Sequence, residues 1–426
     1  MPQITAGLKK GSAGSNVGDL QAYLKRFGYL DSGEAALKFG MRSSGAADAT
    51  PMISEAAVIA ARASEFDDVT ETALRRFQRF NRLPETGQVD DAVAALIGRP
   101  RCGVPDLAGF SASGRKWATN NLRYAFQNFT ADLSNAAIVT AIEQAFALWA
   151  AETPLRFSQA PLASAEIVIR FVTGDHGDGS AFDGPNGVLA HAFFPSTPPA
   201  PPAPIQGDTH FDDAETWTVT VPPAAGAFDL VTVAAHEFGH ALGLDHSSVA
   251  GSLMEPFYGG PHRFLHSDDV AGVTSLYGGY PIEHAAWAHG TDIQIEVPGN
   301  VESVTRFGFF TRLVGKPGTT NWYHLPVTTP VIIKGNRLAI ARAMLRFSTG
   351  GPAALVRDVH IFDGETRIAA HNGINLSGSN LFTKFGVAHK PDVFWGMGIT
   401  MGITTGAGTA AQRTIDIISG GIDFLA

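Results

Sequence analysis

The chain has a single cysteine, Cys102, among 426 residues. One thiol cannot close an intrachain disulfide, so a disulfide-stapled scaffold is excluded and cysteine usage says nothing about compartment. Long apolar runs are missing too. No stretch approaches the about 20 residues a membrane-crossing helix needs, so no membrane span is expected. Neither sign of charge dominates: 31 Lys and Arg stand against 40 Asp and Glu, a net charge of −9. That balance argues against nucleic acid or an anionic membrane as the main partner. The start, Met1-Pro2-Gln3-Ile4-Thr5-Ala6-Gly7, lacks the charged-then-apolar pattern of a secretory leader. The remainder is an ordinary globular composition, 45% hydrophobic, long enough for two to four domains with their own cores.

Against this background one run carries chemistry: His236-Glu237-Phe238-Gly239-His240-Ala241-Leu242-Gly243-Leu244-Asp245-His246. Histidines four apart on a helix project from one face and can grip one ion. Glu237 is displaced around the helix, placed to reach a water on that ion rather than to ligate it. Gly243 lets the chain turn and return His246 as a third ligand. Three protein ligands leave the fourth zinc position open, the pattern of a catalytic site. Zinc brings the pKa of water toward neutrality, and Glu237 is the candidate general base. The full HExxHxxGxxH spacing is far more specific than HExxH alone.

At these residues the chain resembles the metzincin peptidases, and within them the matrix metalloproteinases (matrixins). Ser252-Leu253-Met254-Glu255-Pro256 resembles the family's methionine turn, which makes Met254 an apolar floor under the metal. Pro256-Phe257-Tyr258 resembles the wall of the pocket that receives the side chain after the scissile bond, with Pro256 and Tyr258 as substrate-binding residues. Pro100-Arg101-Cys102-Gly103-Val104-Pro105-Asp106 matches the family's cysteine switch. A thiolate outcompetes water for zinc, so Cys102 in the fourth position would hold the enzyme latent. The resemblance also implies that Arg101 pairs with Asp106 to brace the loop.

The same resemblance implies further metals. His176, Asp178, His191 and His210 would hold a structural zinc with all positions filled. Asp183, Asp212 and Glu215, with carbonyls of Gly184, Asn186 and Val188, would bind calcium through hard oxygen ligands. A second calcium would use Asp208 and a site near Glu166, where the family usually has Asp. Leu189 and Ala190 would lie on an edge strand that adds substrate backbone as a further strand. Thr232 is expected to line the specificity pocket. Cleavage is expected at or near Gly109–Phe110, the new ammonium pairing with Asp268.

The expected organisation is multidomain α+β. Residues 1–99 read as a small helical domain: Val17, Leu20, Leu24, Phe27 and Leu30 follow helical spacing, as do Val69, Leu74, Phe77 and Leu83, with a last helix from Asp90 to about Ile97. This segment resembles the peptidoglycan-binding-like fold that matrixins use as a propeptide, with an extra Ala/Ser-rich stretch at about residues 32–65. Residues 100–109 form the switch and activation linker. Residues 110–280 form the catalytic domain, a twisted sheet with helices, carrying strands at 121–126 and 166–171 and helices from Leu133 to Ala150 and Ser267 to Leu276. The Pro-rich run from Ser196 to Pro204 is read as a stiff solvated excursion. Residues 281–426 alternate like strands at 292–297, 331–333, 359–362 and 415–418, and an antiparallel β-sandwich is expected. This segment is too short for the propeller many matrixins carry. His324, His360 and His371 lack ligand spacing. Trp287, Trp322, Tyr323 and Trp395 fit either a carbohydrate platform or core packing.

The expected activity is therefore a latent zinc endopeptidase acting on protein or peptide substrates, requiring Zn2+ and Ca2+, monomeric, and extracellular by family resemblance. The rival is a cell-wall or glycan-binding protein with a vestigial or secondary protease domain.

Overall fold

In a computed structural model, residues 3–30, 64–107, 115–196 and 205–425 are described. The expected cleavage point, most of the Ala/Ser-rich stretch and most of the Pro-rich run lie outside them. The chain divides into two compact units: Met1–Asn135, Gln159–Thr218 and Pro223–Leu276 form one, and Ala136–Ser158, Val219–Pro222 and Tyr277–Ala426 the other. Among the described residues no helix is long and apolar enough to cross a membrane.

Among the described residues the first unit opens with helices α1 (Ser15–Arg26), α2 (Asp68–Phe80) and α3 (Asp91–Ile97). Asp67 and Asp90 cap α2 and α3, accepting from Thr70 N at 2.8 Å and Val93 N at 2.9 Å. The helical spacing read from the sequence becomes one core of Leu20, Leu24, Phe27, Leu74, Phe77, Val93 and Ile97. Among the strands that follow are β1 (Arg101–Cys102), β2 (Asn121–Phe126), β3 (Ile167–Val172), β4 (Val188–Ala192) and β5 (Thr209–Asp212). They lie in the order β1-β4-β5-β3-β2, with only β4 and β5 antiparallel to each other. Two more helices complete the unit, α5 (Leu230–Ala241) and α6 (Ser267–Tyr277), the latter's last residue falling beyond its boundary.

The second unit contains α4 (Asn135–Ala150), from residue 136 onward, two large antiparallel sheets and a small ribbon of Ile332–Ile333 with Asn336–Arg337. One sheet runs Gln294–Ile295, Thr319–Val327, Met397–Thr405, Ala354–Asp363, Thr366–His371; the other runs Val301–Arg306, Thr311–Gly315, Thr414–Leu425, Ala339–Thr349, Leu381–Gly386, and His284–His289 also pairs with Thr414–Leu425. Leu325, Ile399 and Ile361 of the first meet Leu345, Phe347 and Ile417 of the second in one core, a β-sandwich as expected. The helix expected within the peptidase segment packs on this sandwich. Gln144 exchanges two hydrogen bonds with the backbone of Asn372, each 3.1 Å. Glu152 pairs with Lys384 at 2.9 Å and Arg342 at 3.3 Å. A Cβ on Gly386 would lie 1.9 Å from Ala147 O, so only glycine permits the helix to approach that strand.

Candidate metal centre and cleft

Helix α5 is apolar on nearly every side and fully buried. Its N-terminus is capped by Asp229, which accepts from Thr232 N and Oγ1 and is held in turn by the Arg263 guanidinium. The helix must end for His246 to come back, and Gly243 does this with φ +107°; a Cβ there would fall 2.0 Å from Arg115 O.

His236 and His240 direct Nδ1 to the carbonyls of Leu253 (2.8 Å) and Leu244 (2.7 Å), which fixes both rings with Nε2 pointing inward. The Nε2 atom of His236 lies 3.2 Å from Nε2 of His240 and 3.2 Å from that of His246. Three buried ring nitrogens crowd together, and Cys102 completes a group whose donor atoms all fall within 4.8 Å of one another. Three nitrogens and one sulfur are the donor set of a tetrahedral site, and the residues present fit zinc. Both carboxylate oxygens of Glu237 are buried without a hydrogen-bond partner, beside Cys102, and burial pushes its carboxyl up to about 8.

The methionine turn is fixed by a residue the sequence reading passed over. Asp269 accepts from Ser252 Oγ, from Leu253 N at 2.8 Å and from Met254 N at 3.2 Å. Its neighbour Asp268, expected to pair with a new terminus, accepts from Ser247 Oγ at 2.6 Å. An Asp-Asp pair in the first turn of a helix carries only the generic signal of a helix start.

Residues 100–106, the expected switch, thread the cleft. Strand β1 runs parallel to β4, pairing Arg101 with Val188 and Cys102 with Ala190. Arg101 N donates to Gly187 O (3.1 Å), Gly103 N to Ala190 O (2.8 Å) and Cys102 N to Pro256 O (2.9 Å), while Tyr258 N donates back to Pro100 O (3.0 Å). The residues expected to bind substrate, Leu189, Ala190, Pro256 and Tyr258, thus flank the segment on both sides. Beside it a cavity of about 490 Å³ is lined by Leu189, Thr232, Val233, His236, Glu237, Pro256, Tyr258 and His262, among others. Arg101 is fully buried: it pairs with Asp106, donates to Tyr23 Oη at 2.9 Å, and stacks 3.5 Å from the Phe27 ring centroid.

A second group joins His176, Asp178, His191 and His210. Asp178 Oδ2 is 2.6 Å from His176 Nε2, 2.7 Å from His191 Nε2 and 2.9 Å from His210 Nδ1. Burial pushes this carboxyl up, but the bonds from His191 and His210 overcome it and hold Asp178 far below the usual range. Three imidazoles around one carboxylate oxygen fit a fully protein-ligated metal.

The carboxylates expected to bind calcium do not form such a close group among the described residues. Asp212 keeps one buried oxygen without a partner. Burial, with Asp183 nearby, raises Asp212, and burial raises Glu215 to about 7 despite bonds from Asn186 N and Gly187 N. Carboxylates that raise one another fit a cation. Asp183 instead braces its own loop, accepting from Val188 N at 2.7 Å; Gly184, Asn186 and Val188 lie on that loop. Asp208 lies 3.9 Å from His210 Nε2. Glu166 pairs with Arg123 at 2.6 Å.

Residues 116–278 match the family described as Matrixin. Human neutrophil collagenase is 44% identical over 210 residues, 48% of this chain and 43% of the collagenase. Bovine interstitial collagenase is 46% identical over 209 residues, 48% and 42%, and human matrix metalloproteinase-20 is 43% identical over 210 residues, 48% and 41%. The chain thus spans less than half the length of these curated relatives. Residues 59–97 match a family described as "Putative peptidoglycan binding domain", and residues 282–426 a family of unknown function, DUF6623.

Proposed function

We propose that this chain is a latent zinc endopeptidase that hydrolyses peptide bonds in extracellular protein substrates. The observation that carries the reading is the position of Cys102: its thiol is grouped with His236, His240 and His246 while its backbone is hydrogen-bonded on both sides of the cleft. When bound by the three histidines, zinc supplies a Lewis acid that polarises the scissile carbonyl and activates water.

The chain's own residues do the rest. Strand β4 pairs with the extended substrate through the main chain at Leu189 and Ala190, recognising backbone ahead of sequence. Pro256 and Tyr258 form the opposite wall. Glu237 accepts a proton from the attacking water and delivers it to the departing amide nitrogen, so the carboxylate is regenerated. Met254 is the apolar floor. Cys102 blocks the fourth ligand position and its flanking residues fill the substrate's path, so latency ends when residues 100–106 leave the cleft. Asp178 and its three histidines pin the loop that precedes β4, with calcium at Asp212 and Glu215. The molecule acts as a monomer.

Casein and gelatin cleavage by the full chain with zinc and calcium, before and after a thiol-blocking mercurial, tests this. Activity only after treatment, abolished by a chelator, is expected. No activity in either state with zinc confirmed bound would contradict it. The match of residues 59–97 supports a second reading, glycan binding by the N-terminal segment, which sedimentation with peptidoglycan would detect.

A further inference from the structure

The outer face of the five-stranded sheet of the second unit is built unlike a packing surface. Three successive rungs cross Thr319–Val327, Met397–Thr405 and Ala354–Asp363: Trp322, Gly402 and Asp358; His324, Thr400 and His360; Pro326, Gly398 and Phe362. The alternate residues of the same strands, Tyr323, Leu325, Ile399, Met401, Val359 and Ile361, fill the core, so these nine point outward. The middle strand therefore presents only glycine and threonine between two taller rows. Nothing stands within 4 Å of where a Gly398 Cβ would be. The Trp322 ring lies across Gly402, 3.0 Å from the position of its Cβ, and reaches His360 with ring centroids 4.8 Å apart. His324 is held by Glu296 at 3.1 Å and Thr400 at 3.1 Å, and His360 by Asn372 at 2.8 Å.

At the Gly398 end the strand is preceded by an aromatic loop fixed in place. Asp363 accepts from Phe394 N (2.8 Å), Trp395 N (2.8 Å) and Gly396 N (3.0 Å). Arg337 donates to Val393 O at 2.8 Å and lies 4.3 Å from the Phe394 ring centroid. This scaffolding holds Trp395 79% exposed. A rigid indole kept in water forgoes burial that a merely structural residue would take.

We propose that this trough, from Trp322 along the Met397–Thr405 strand to Trp395, binds a neutral polysaccharide chain. The chemistry selects that class. The three rungs bear no Lys or Arg and carry the carboxylate of Asp358, with Glu296 bonded to His324 at their edge, so phosphate-rich ligands and anionic bilayers find no basic field across them. The backbone of the three strands is consumed within the sheet, so an added peptide strand has nothing to pair with. What the trough offers is ring faces for apolar sugar faces, and imidazole, hydroxyl and carboxylate groups for sugar hydroxyls. The inference rests on residues 282–426 alone and is independent of the peptidase reading.

The test is depletion of the full-length protein by insoluble cellulose, xylan and chitin, with phosphatidylglycerol vesicles in parallel, for wild type, Trp395→Ala and Gly398→Val. Trp395 is exposed and Gly398 has open space, so both variants should keep the parent's melting temperature and peptidase activity. Binding to at least one polysaccharide is expected, reduced about tenfold by Trp395→Ala, the scale of one lost stacking ring, and abolished by Gly398→Val. Absence of binding to all three, binding that survives both substitutions (as capture by residues 59–97 would), or binding to vesicles alone would overturn the proposal.

Discussion

Asp106 Oδ1 lies 2.8 Å from Nδ1 of His246. His236 and His240 rest on main-chain carbonyls of their own domain; His246 alone faces a carboxylate from the switch segment. Both groups are buried and Nδ1 has no other partner. Burial would push the Asp106 carboxyl up; Arg101 and His246 outweigh it and hold it below the usual range. Tyr29 Oη donates to the other oxygen at 2.6 Å.

Removing that carboxylate strands Arg101 in the interior. Breaking a buried pair from one side costs about 3–5 kcal/mol. Asp106→Asn is therefore expected to loosen the switch, seen as faster reaction of Cys102 with a mercurial than in the parent. An unchanged rate would mean that the bracing is supplied elsewhere.

Glu237→Ala should retain the metal, because the ligand rings are oriented by Leu253 and Leu244 carbonyls rather than by Glu237. Once Cys102 is blocked, turnover should fall by about 10²–10⁴, the usual worth of a general base. Zinc content by mass spectrometry and cleavage rate separate these effects; wild-type turnover would refute the role.

Asp178→Ala removes the common partner of three imidazoles. The loop between β3 and β4 should then become open to limited proteolysis near residues 173–187, and chelator treatment of the parent should do the same. Equal resistance in all three samples would show that the loop stands without the metal.

The second unit should weaken in mild acid through His371. This ring is 2% exposed, its Nε2 donates to Gly386 O across 2.9 Å, and burial lowers its pKa to about 4. The unfolded chain, with a histidine near 6.5, binds the proton more readily between those values, so stability rises with pH through the window. About 3 kcal/mol present at pH 7 is lost progressively from about pH 6.5 down to 4. Urea midpoints at pH 7 and 4.5 should diverge in the parent and converge in His371→Gln; an unaltered gap would assign it to other groups.

The catalytic signal was legible because it is local. Two histidines one helical turn apart, a glycine at the turn and a heptapeptide around the only cysteine need no tertiary knowledge to read. Asp229 and Asp269 were not legible, since each acts on residues 3 to 34 or 15 to 17 positions away through space. In the second unit, Ala339–Thr349 is rich in alanine, arginine, methionine and leucine, good helix formers, and Met397–Thr405 carries glycines that strands disfavour. Both are strands because partners on each side supply their hydrogen bonds. Conversely, the alternation at 292–297 yields only Gln294–Ile295, because a 3-10 turn at Gly290–Asp292 and another at Pro298–Asn300 close it from both ends.

The central claim is that Cys102 completes the coordination of a zinc held by His236, His240 and His246. X-ray absorption at the zinc edge, on protein whose second metal group has been removed by Asp178→Ala, addresses it most directly. One sulfur at about 2.3 Å beside nitrogen ligands is predicted, replaced by a nitrogen-and-oxygen shell when a mercurial blocks the thiol and cleavage begins. A shell without sulfur in the untreated full-length protein would contradict the account.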